Sequence, residues 1–490
     1  MSRSEKNKLI IALSLAMFLA AIESTIVTLA IPTIVKDLRG FDLISHVFSV
    51  YLLTSAITTP IYGKMSDLYG RKRTLIVGIS IFIGGCALCG FSRNMVMLIA
   101  FRAVQGIGAG SIFTVPMTIV GDVFPLSERG KIQGALSMVW GIAGLIGPVL
   151  GGLLIDFLSW HWIFFINVPF GILTLYIFQT SYNESPTKSR HRIDLPGIAL
   201  LSVAMIAFLS IFIFGSENGF LLSTRNVVLF VISMTLLVLF YHLEKRAVEP
   251  IVPFNVLTRS SIFVNVIAMM FSAILIGVDV YTPIFLQNVQ GHGPLIAGLL
   301  LLPMTITWTL VSIPLGKLVI RFGGKPVVLV GMVVTLISLL PLLMIVSGTS
   351  MAFIIAMVLV MGVGMGTCVT TQTMLIQSSV EYEKRGSAVA VISLLRTLGQ
   401  TIGISVFGVV FNASIRGGFT REGISSYDLG NLYELSSYSE GVSWDQIVAV
   451  LTSAVHLVGS VLIGLVIVCL ILSLLMPRPP ISERTEQPTT

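Results

Sequence analysis

Apolar blocks of about twenty residues run along almost the whole chain and are separated by short polar segments. An α-helix rises about 1.5 Å per residue, so about twenty apolar residues cross the roughly 30 Å hydrocarbon core of a bilayer. The pattern predicts an all-α polytopic membrane protein with fourteen transmembrane helices. The predicted spans are residues 9–32, 45–63, 74–91, 96–119, 132–155, 162–180, 194–214, 226–243, 262–286, 295–315, 326–346, 351–376, 387–411 and 446–475.

The composition excludes a soluble protein of this size. Of the 490 residues, 55% are hydrophobic and 11% are charged, and the mean hydropathy is +0.95. A soluble chain usually carries about 25% charged residues, which it needs to cover its surface. The lipid bilayer is therefore the predicted partner of most of this surface. The four cysteines lie inside apolar blocks, which favours neither a disulfide framework nor a zinc site.

The positions of the basic residues predict the orientation of the helices. Most of the 30 lysines and arginines fall in every second loop, with clusters at 64–73, 188–192, 245–246 and 384–385. Under the positive-inside rule these loops are cytoplasmic, so both termini are predicted to be cytoplasmic. The net charge of +7 then reflects topology, and no nucleic-acid partner is expected. The acidic segment 412–445 falls outside, and the expected location is the cytoplasmic membrane of a prokaryote.

Part of the sequence repeats at an offset of 256 residues. The matching positions are Gly106, Gly108 and Gly110 with Gly362, Gly364 and Gly366, and Arg129-Gly130 with Arg385-Gly386. A constant offset across separate helices predicts two parallel six-helix bundles related by an axis along the membrane normal. The predicted domains are an N-terminal bundle at 1–187, a two-helix linker insert at 188–259, a C-terminal bundle at 260–476 and a cytoplasmic tail at 477–490.

Two acidic residues, Glu23 and Asp279, lie well inside apolar spans. They are 256 residues apart (279 − 23), which is the offset of the repeat, so they are predicted to face each other from equivalent positions. A charge at the centre of a bilayer costs about 2.5–3.5 kcal/mol on insertion scales, so such a group faces a cavity, forms an ion pair or binds a proton. The functional interpretation is a proton or substrate site, and the alternative is a purely structural ion pair.

Two arginines also lie inside predicted spans. Arg102 is expected to reach the depth of Glu23 from the opposite side of the membrane, which makes it a candidate partner that tunes proton binding there. Arg396 lies in the thirteenth predicted span. Its position is equally compatible with a hydrogen-bond donor in helix packing and with a functional cation.

The loop at 63–73 combines glycines with charged residues. Gly63 and Gly70 permit a tight turn, and Asp67 beside Arg71 and Lys72 can form a charge-assisted latch at the cytoplasmic surface. The alternative interpretation is a simple basic loop that stops translocation.

The fifth predicted span is rich in small residues. Gly144, Gly147, Gly151 and Gly152 allow close packing of neighbouring helices. Pro148 predicts a kink deep in the span, and a bend there is expected to matter for opening and closing.

The sequence lacks the patterns that enzymes and metalloproteins need. The six histidines show no metal-ligand spacing, no glycine-rich loop ends in Gly-Lys-Ser/Thr, and the loops hold no nucleophile–base arrangement. We therefore expect no metal site, no cofactor, no ATP-driven step and no enzymatic activity.

Several of these stretches resemble the signature motifs of the major facilitator superfamily. They are the loop 63–73, the stretch 102–108 with Arg102 and Gln105, and the stretch 144–152, which resembles the motif typical of its antiporters. The fourteen spans and the runs 23–32 and 160–171 are similar to its fourteen-span drug:proton antiporter branch. Two residues depart from that pattern. Glu23 stands where aspartate is usual, and Ile320 stands where the first copy of the loop has Asp67.

The resemblance implies efflux of lipophilic, cationic drugs in exchange for protons by alternating access. It implies that Glu23 is a proton or cation site, that Arg102 aids proton transfer and that Asp67 belongs to a cytoplasmic gate. The expected partners are small lipophilic molecules and protons. The alternative within transport is export of one specific metabolite, lipid or antibiotic, driven by the same proton gradient.

Overall fold

The computed structural model shows an all-helical protein over its described residues. These are residues 3–38, 44–184, 194–213, 223–247, 250, 258–292, 294–421 and 444–477. Nearly all of the predicted tail and most of the predicted outside segment 412–445 lie outside the described residues. The last helix before that segment ends at Arg421, so the loop predicted to begin at 412 starts about ten residues later.

The first half of the chain forms helices α1 to α7. They are α1 (Arg3–Leu38), α2 (Ile44–Tyr69), α3 (Arg71–Gly90), α4 (Met95–Val123), α5 (Leu126–Phe157), α6 (Trp162–Phe165) and α7 (Asn167–Ser181). The break between α2 and α3 falls at Gly70, whose φ of +94° favours glycine. The Glu184 carboxylate then accepts hydrogen bonds of 2.8 Å from the backbone N–H groups of Arg71 and Lys72, which caps α3.

The second half repeats this arrangement. Its helices are α10 (Arg259–Asn288), α11 (Pro294–Leu299), α12 (Leu302–Phe322), α13 (Gly324–Leu339), α14 (Met351–Ser378), α15 (Arg385–Arg421) and α16 (Trp444–Leu475). Gly323, with a φ of +84°, separates α12 from α13 as Gly70 separates α2 from α3. Between the halves lie α8 (Leu195–Ile213) and α9 (Thr224–Glu244), which pack against each other.

Twelve helices in the described residues are long and apolar enough to cross a membrane. The two further predicted spans correspond to α2 and α8, which do not meet that measure, so the number fourteen remains a prediction. Helix α2 is rich in serine and threonine, whose hydroxyls donate to carbonyls one turn back, as Thr54 does to Val50 at 2.9 Å. The apolar part of α8 is shorter, covering Pro196–Ile211.

Equivalent glycines make equivalent contacts in the two halves. A Cβ atom on Gly106 would collide with Tyr51 and Thr54 of α2, and one on Gly362 would collide with Met304 and Thr307 of α12. The two pairs of contacted residues are each 253 residues apart, which is also the offset between Gly63-Lys64 and Gly316-Lys317. Helices α2 and α12 therefore match at an offset of 253, three residues less than the 256 of α4 and α14. The glycines therefore serve the same close helix packing in both halves.

Each half has its own hydrophobic core. The core of the first half is built from residues between 9 and 182, and that of the second from residues between 264 and 476. The halves meet along two seams, which we call the first seam (α2 with α15) and the second seam (α5 with α12). A carrier that alternates between two states would move the halves relative to each other along these seams.

Candidate functional site

Glu23 forms a buried ion pair with Arg102. Arg102 Nη1 donates to the Oε1 atom of Glu23 and, at 2.7 Å, to Oε1 of Gln105, and Arg102 Nε donates to the Val47 carbonyl at 3.1 Å. The guanidinium carbon lies 4.2 Å from the centre of the Tyr51 ring. Glu23 and Arg102 are each about 1% exposed. The carboxylate is thus closed off inside the first half.

The second oxygen of Glu23, Oε2, has no hydrogen-bond partner among the described residues. Gln105 continues the polar cluster by donating to Cys86 Sγ at 2.9 Å. A buried carboxylate that retains an unpaired oxygen can accept a proton there once water reaches it. The four cysteines, Cys86 included, are free and buried, as packing residues are.

Asp279 is in a different environment, although it is the repeat equivalent of Glu23. It lies in α10, is partly exposed, and has neither a hydrogen bond nor an ion pair within the described part of the chain. Glu23 therefore has the partner that a structural ion pair requires, whereas Asp279 has none among the residues that the structure describes. An unpartnered carboxylate on an apolar helix is accessible to a proton or to a cationic ligand.

Arg396 in α15 is only partly satisfied. Its Nη2 donates to the Val369 carbonyl at 2.9 Å, and its Nε has no partner among the described atoms. This geometry serves helix packing and leaves one donor unused, so both interpretations of Arg396 remain open.

A second charged cluster joins the two halves. It lies at the end of the molecule where the helix ends carry Asp67, Asp122, Arg129 and Arg385, and we call this end the basic face. Asp67 accepts hydrogen bonds from the N–H groups of Gly386 (2.8 Å) and Ser387 (2.7 Å) and from the Ser387 hydroxyl (2.7 Å). These donors lie in the first turn of α15, where free N–H groups favour a negative charge. Asp67 also pairs with Arg71 at 3.0 Å.

Asp122 is the centre of this cluster. Its Oδ2 pairs with Arg71 Nε at 2.9 Å and its Oδ1 with Arg385 Nη1 at 2.9 Å. Arg71 Nη2 donates to the Tyr382 carbonyl at 2.7 Å, and the guanidinium carbon lies 4.7 Å from the centre of the Tyr382 ring. The loop predicted as a latch therefore contacts the second half through Asp67 and Arg71, and Asp122 of α4 adds the pair with Arg385. All four side chains are buried.

Lys72 and Gly63 play different parts. Lys72 Nζ donates to the Gln179 carbonyl at 2.7 Å, within its own half. Gly63 lies so close to α15 that an added Cβ would collide with Ala390 and with the carbonyl of Gly386. Gly63 thus brings the two halves together at the first seam.

The two carboxylates of this cluster are present in the first half only, because the equivalent positions of the second half hold neutral residues. Arg129, the equivalent of Arg385, bonds the Ser378 hydroxyl at 3.2 Å, and Ser378 is the equivalent of Asp122. Ile320 replaces Asp67. Asp122, Arg385 and Ser387 were not among the functional residues predicted from the sequence, although Arg385 stands out there as a repeated arginine.

The glycines of α5 have different surroundings along the helix. Gly134 and Gly141 contact α12, whereas an added Cβ on Gly144 or Gly152 would find nothing within 4 Å. Gly147 contacts Thr25 of α1, two residues from Glu23, and Gly151 is buried. The halves therefore pack tightly between the Leu126 end of α5 and Gly141, and α5 also contacts α11 of the second half. The Pro148 side chain lies outside the described part, so the kink stays a prediction.

Comparison with known proteins establishes the family. A family model described as Major Facilitator Superfamily matches residues 13–404. The chain belongs to the major facilitator superfamily. It is therefore a multi-pass membrane transporter and not an enzyme.

Relatives of this superfamily member include several proteins named for multidrug transport. It is 34% identical to the multidrug transporter protein MdtP of Bacillus subtilis over 84% of this chain and 76% of that protein. It is 33% identical to multidrug resistance protein 3 of Bacillus subtilis over 82% and 78%. It is 30% identical to the multidrug efflux pump SdrM of Staphylococcus aureus over 82% and 89%.

Solved structures share the fold at lower identity. The human organic anion transporter MFSD10 (TETRAN) has a TM-score of 0.64 at 14% identity, covering 96% of this chain and all of that one. A bacterial homolog of the human lysosomal transporter Spinster has a TM-score of 0.59 at 16% identity, covering 98% of each chain. These similarities show the superfamily fold.

Proposed function

We propose that this transporter exports lipophilic, cationic drugs in exchange for protons, by alternating access. The observation that carries the proposal is Asp279, a partly exposed carboxylate without a partner among the described residues, at the repeat position of Glu23. The names of the relatives support multidrug efflux. A carboxylate that binds either a proton or a cationic substrate couples the two by competition.

The basic face is proposed to be the cytoplasmic face. Its arginines and the basic loop at 64–73 follow the positive-inside rule, which also makes both termini cytoplasmic. The contacts of Asp67 and Asp122 then hold the cytoplasmic side closed. In this state the binding region would be accessible from outside, where protons load.

Glu23 and Asp279 are proposed to titrate at different stages. Asp279 is available in the closed-cytoplasm state, whereas Glu23 shares its charge with Arg102. Gly147 contacts Thr25 close to Glu23, so a bend of α5 would displace α1 there and loosen the ion pair. Glu23 would then take up its proton only during reorientation.

The transport stoichiometry has an electrical consequence. Exchange of two protons for one monovalent cation moves one net charge, worth about 2.3 kcal/mol per 100 mV. Such an exchange would use both the pH gradient and the membrane potential. The two carboxylates provide one site for each proton.

We also propose that α2 and α8 cross the membrane, which gives fourteen spans and assigns the chain to the drug:proton antiporter branch. Helix α2 has 26 residues, enough to cross, and its hydroxyls bond within the helix. Helix α8 pairs with α9 as an antiparallel insert would. The location is the cytoplasmic membrane of a prokaryote.

Everted membrane vesicles test the proposal. Respiration acidifies their interior, which quenches a pH-sensitive dye, and tetraphenylphosphonium should restore fluorescence if the protein exchanges it for protons. We expect the response to be lost in Asp279→Asn and kept in Asp445→Asn, a matched change of an exposed aspartate in the first turn of α16. No response to any lipophilic cation in the unsubstituted protein would contradict cation efflux and favour a specific metabolite.

A further inference from the structure

The two seams between the halves are equivalent by the repeat but differ in what covers them. Helix α2 is the equivalent of α12, and α15 is the equivalent of α5. In a carrier of two six-helix bundles alone, both seams would therefore face lipid in the same way. Here the linker insert breaks that symmetry.

The first seam is covered by the insert. One hydrophobic cluster joins α2 and α15 to α8 and α9. Its buried members are Ala56 and Ile57 of α2, Leu201, Met205 and Leu209 of α8, Phe240 of α9, and Val391 and Leu394 of α15. Helix α8 thus contacts both halves at once, on the side of the seam where lipid would otherwise lie.

The exposure of equivalent residues measures the difference. Ile57 at the first seam is 9% exposed, whereas its equivalent Leu310 at the second seam is 59% exposed. Leu394 is 8% exposed, whereas its equivalent Met138 is 40% exposed. The same helix surfaces are therefore buried by the insert at one seam and open to the bilayer at the other.

We infer that lipophilic substrate enters from the bilayer through the second seam, between α5 and α12, and that the insert closes the first seam to it. The inference rests on the proposed efflux function. A lipophilic cation partitions into the membrane, so it meets the protein at its lipid-facing side. When the basic face opens, the gap that forms between α5 and α12 is open to the lipid. The gap that forms between α2 and α15 remains covered by α8 and α9.

The contacts within the second seam suit a passage that opens and closes. Gly134 and Gly141 of α5 face Thr309 and Thr305 of α12, and the Thr309 hydroxyl donates a hydrogen bond across the seam to the Gly134 carbonyl at 3.2 Å. No ion pair across this seam is found in the described residues. The first seam, by contrast, ends in the buried charges around Asp67.

Photochemical labelling tests the inference. A diazirine amino acid close to leucine in size is placed at Leu310 or Met138, at their equivalents Ile57 or Leu394, or at Val330 of α13. Val330 is 61% exposed and lies away from both seams, so it controls for labelling by substrate dissolved in lipid. Each variant is irradiated in everted vesicles with radiolabelled tetraphenylphosphonium, and its transport is measured in parallel.

We expect adducts at Leu310 and Met138 that disappear when excess unlabelled tetraphenylphosphonium is added. Adducts at Val330 should not respond to that competition, and Ile57 and Leu394 should give none. Competable adducts at Ile57 or Leu394, or none at the second seam while transport is intact, would overturn the inference. Failure of the proposed function would appear separately, as absence of tetraphenylphosphonium transport by the unsubstituted protein.

Discussion

Replacing Asp67 with asparagine should weaken closure of the basic face. Asp67 accepts three hydrogen bonds from Gly386 and Ser387 and pairs with Arg71. Hydrogen bonds to a charged group contribute about 1.5–3 kcal/mol and neutral ones about 0.5–1.5 kcal/mol. Asparagine also replaces one carboxylate oxygen with an NH2 group, which faces an N–H or O–H donor and cannot accept its hydrogen bond. The closed state should lose about 3 kcal/mol, which at about 1.4 kcal/mol per tenfold shifts the equilibrium on the order of a hundredfold.

A cysteine at Ser66 reports this shift. Ser66 is fully buried and lies against Gly386 between α2 and α15, so a thiol there reacts with a water-soluble maleimide only when the first seam parts. We expect Asp67→Asn to raise the alkylation rate strongly. Ser387→Ala removes one of the three hydrogen bonds to the charged carboxylate and should raise the rate by about tenfold, because that bond contributes about 1.5 kcal/mol.

The native cysteines supply the control for this assay. All four are buried in the cores, so their alkylation would report unfolding instead of gate opening. An unchanged rate at position 66 in Asp67→Asn, with the native cysteines protected, would refute the role assigned to these hydrogen bonds.

Three further outcomes follow from the charge distribution and packing. Glu23→Gln should lower thermal stability by about 3–5 kcal/mol because it strands the Arg102 guanidinium, and adding Arg102→Met should restore stability but not transport in vesicles. Equal stability of single variant and wild type would contradict the buried pair. Arg385→Gln should raise the maleimide rate more than Arg129→Gln, since Arg385 pairs with Asp122 across the halves whereas the residue at the equivalent position beside Arg129 is the neutral Ser378. Equal rates in the two variants would contradict this difference between the repeats. Gly63→Leu should prevent closure of the basic face, because α15 leaves no space for a side chain there, and the cysteine at position 66 should then react at its maximal rate. Protection of this cysteine in Gly63→Leu would contradict the close contact of Gly63 with α15.

The helical fold could be predicted because the apolar blocks set the membrane crossings and the 256-residue offset set the repeat. Helix α2 shows the limit of that reasoning. The hydroxyl groups of its serines and threonines lower its mean hydropathy, although they form hydrogen bonds within the helix. Helix α2 is therefore long enough to cross the membrane but is not apolar enough to be counted as a span. The end of α15 at Arg421 was also missed, since a helix can continue past the apolar block.

The sequence was sufficient to predict contacts between residues whose charge or residue type is unusual for their position. An acid and a base at matching depth identified Glu23 and Arg102 as neighbours, and glycines beside charges identified the loop with Asp67. Asp122 was missed because it lies at a helix end, where a carboxylate is ordinary, and only packing of the halves shows that it is buried. The different environments of Glu23 and Asp279 could not be predicted, because the repeat implies equivalence.

The central claim is that Asp279 couples drug movement to protons, and reconstituted transport tests it most directly. Purified protein in liposomes with an imposed acid interior is given external tetraphenylphosphonium, while drug uptake and internal pH are recorded together. The account predicts drug accumulation matched by proton release, lost in Asp279→Asn and kept in Asp445→Asn. Drug accumulation by Asp279→Asn with proton release equal to that of the unsubstituted protein would contradict it.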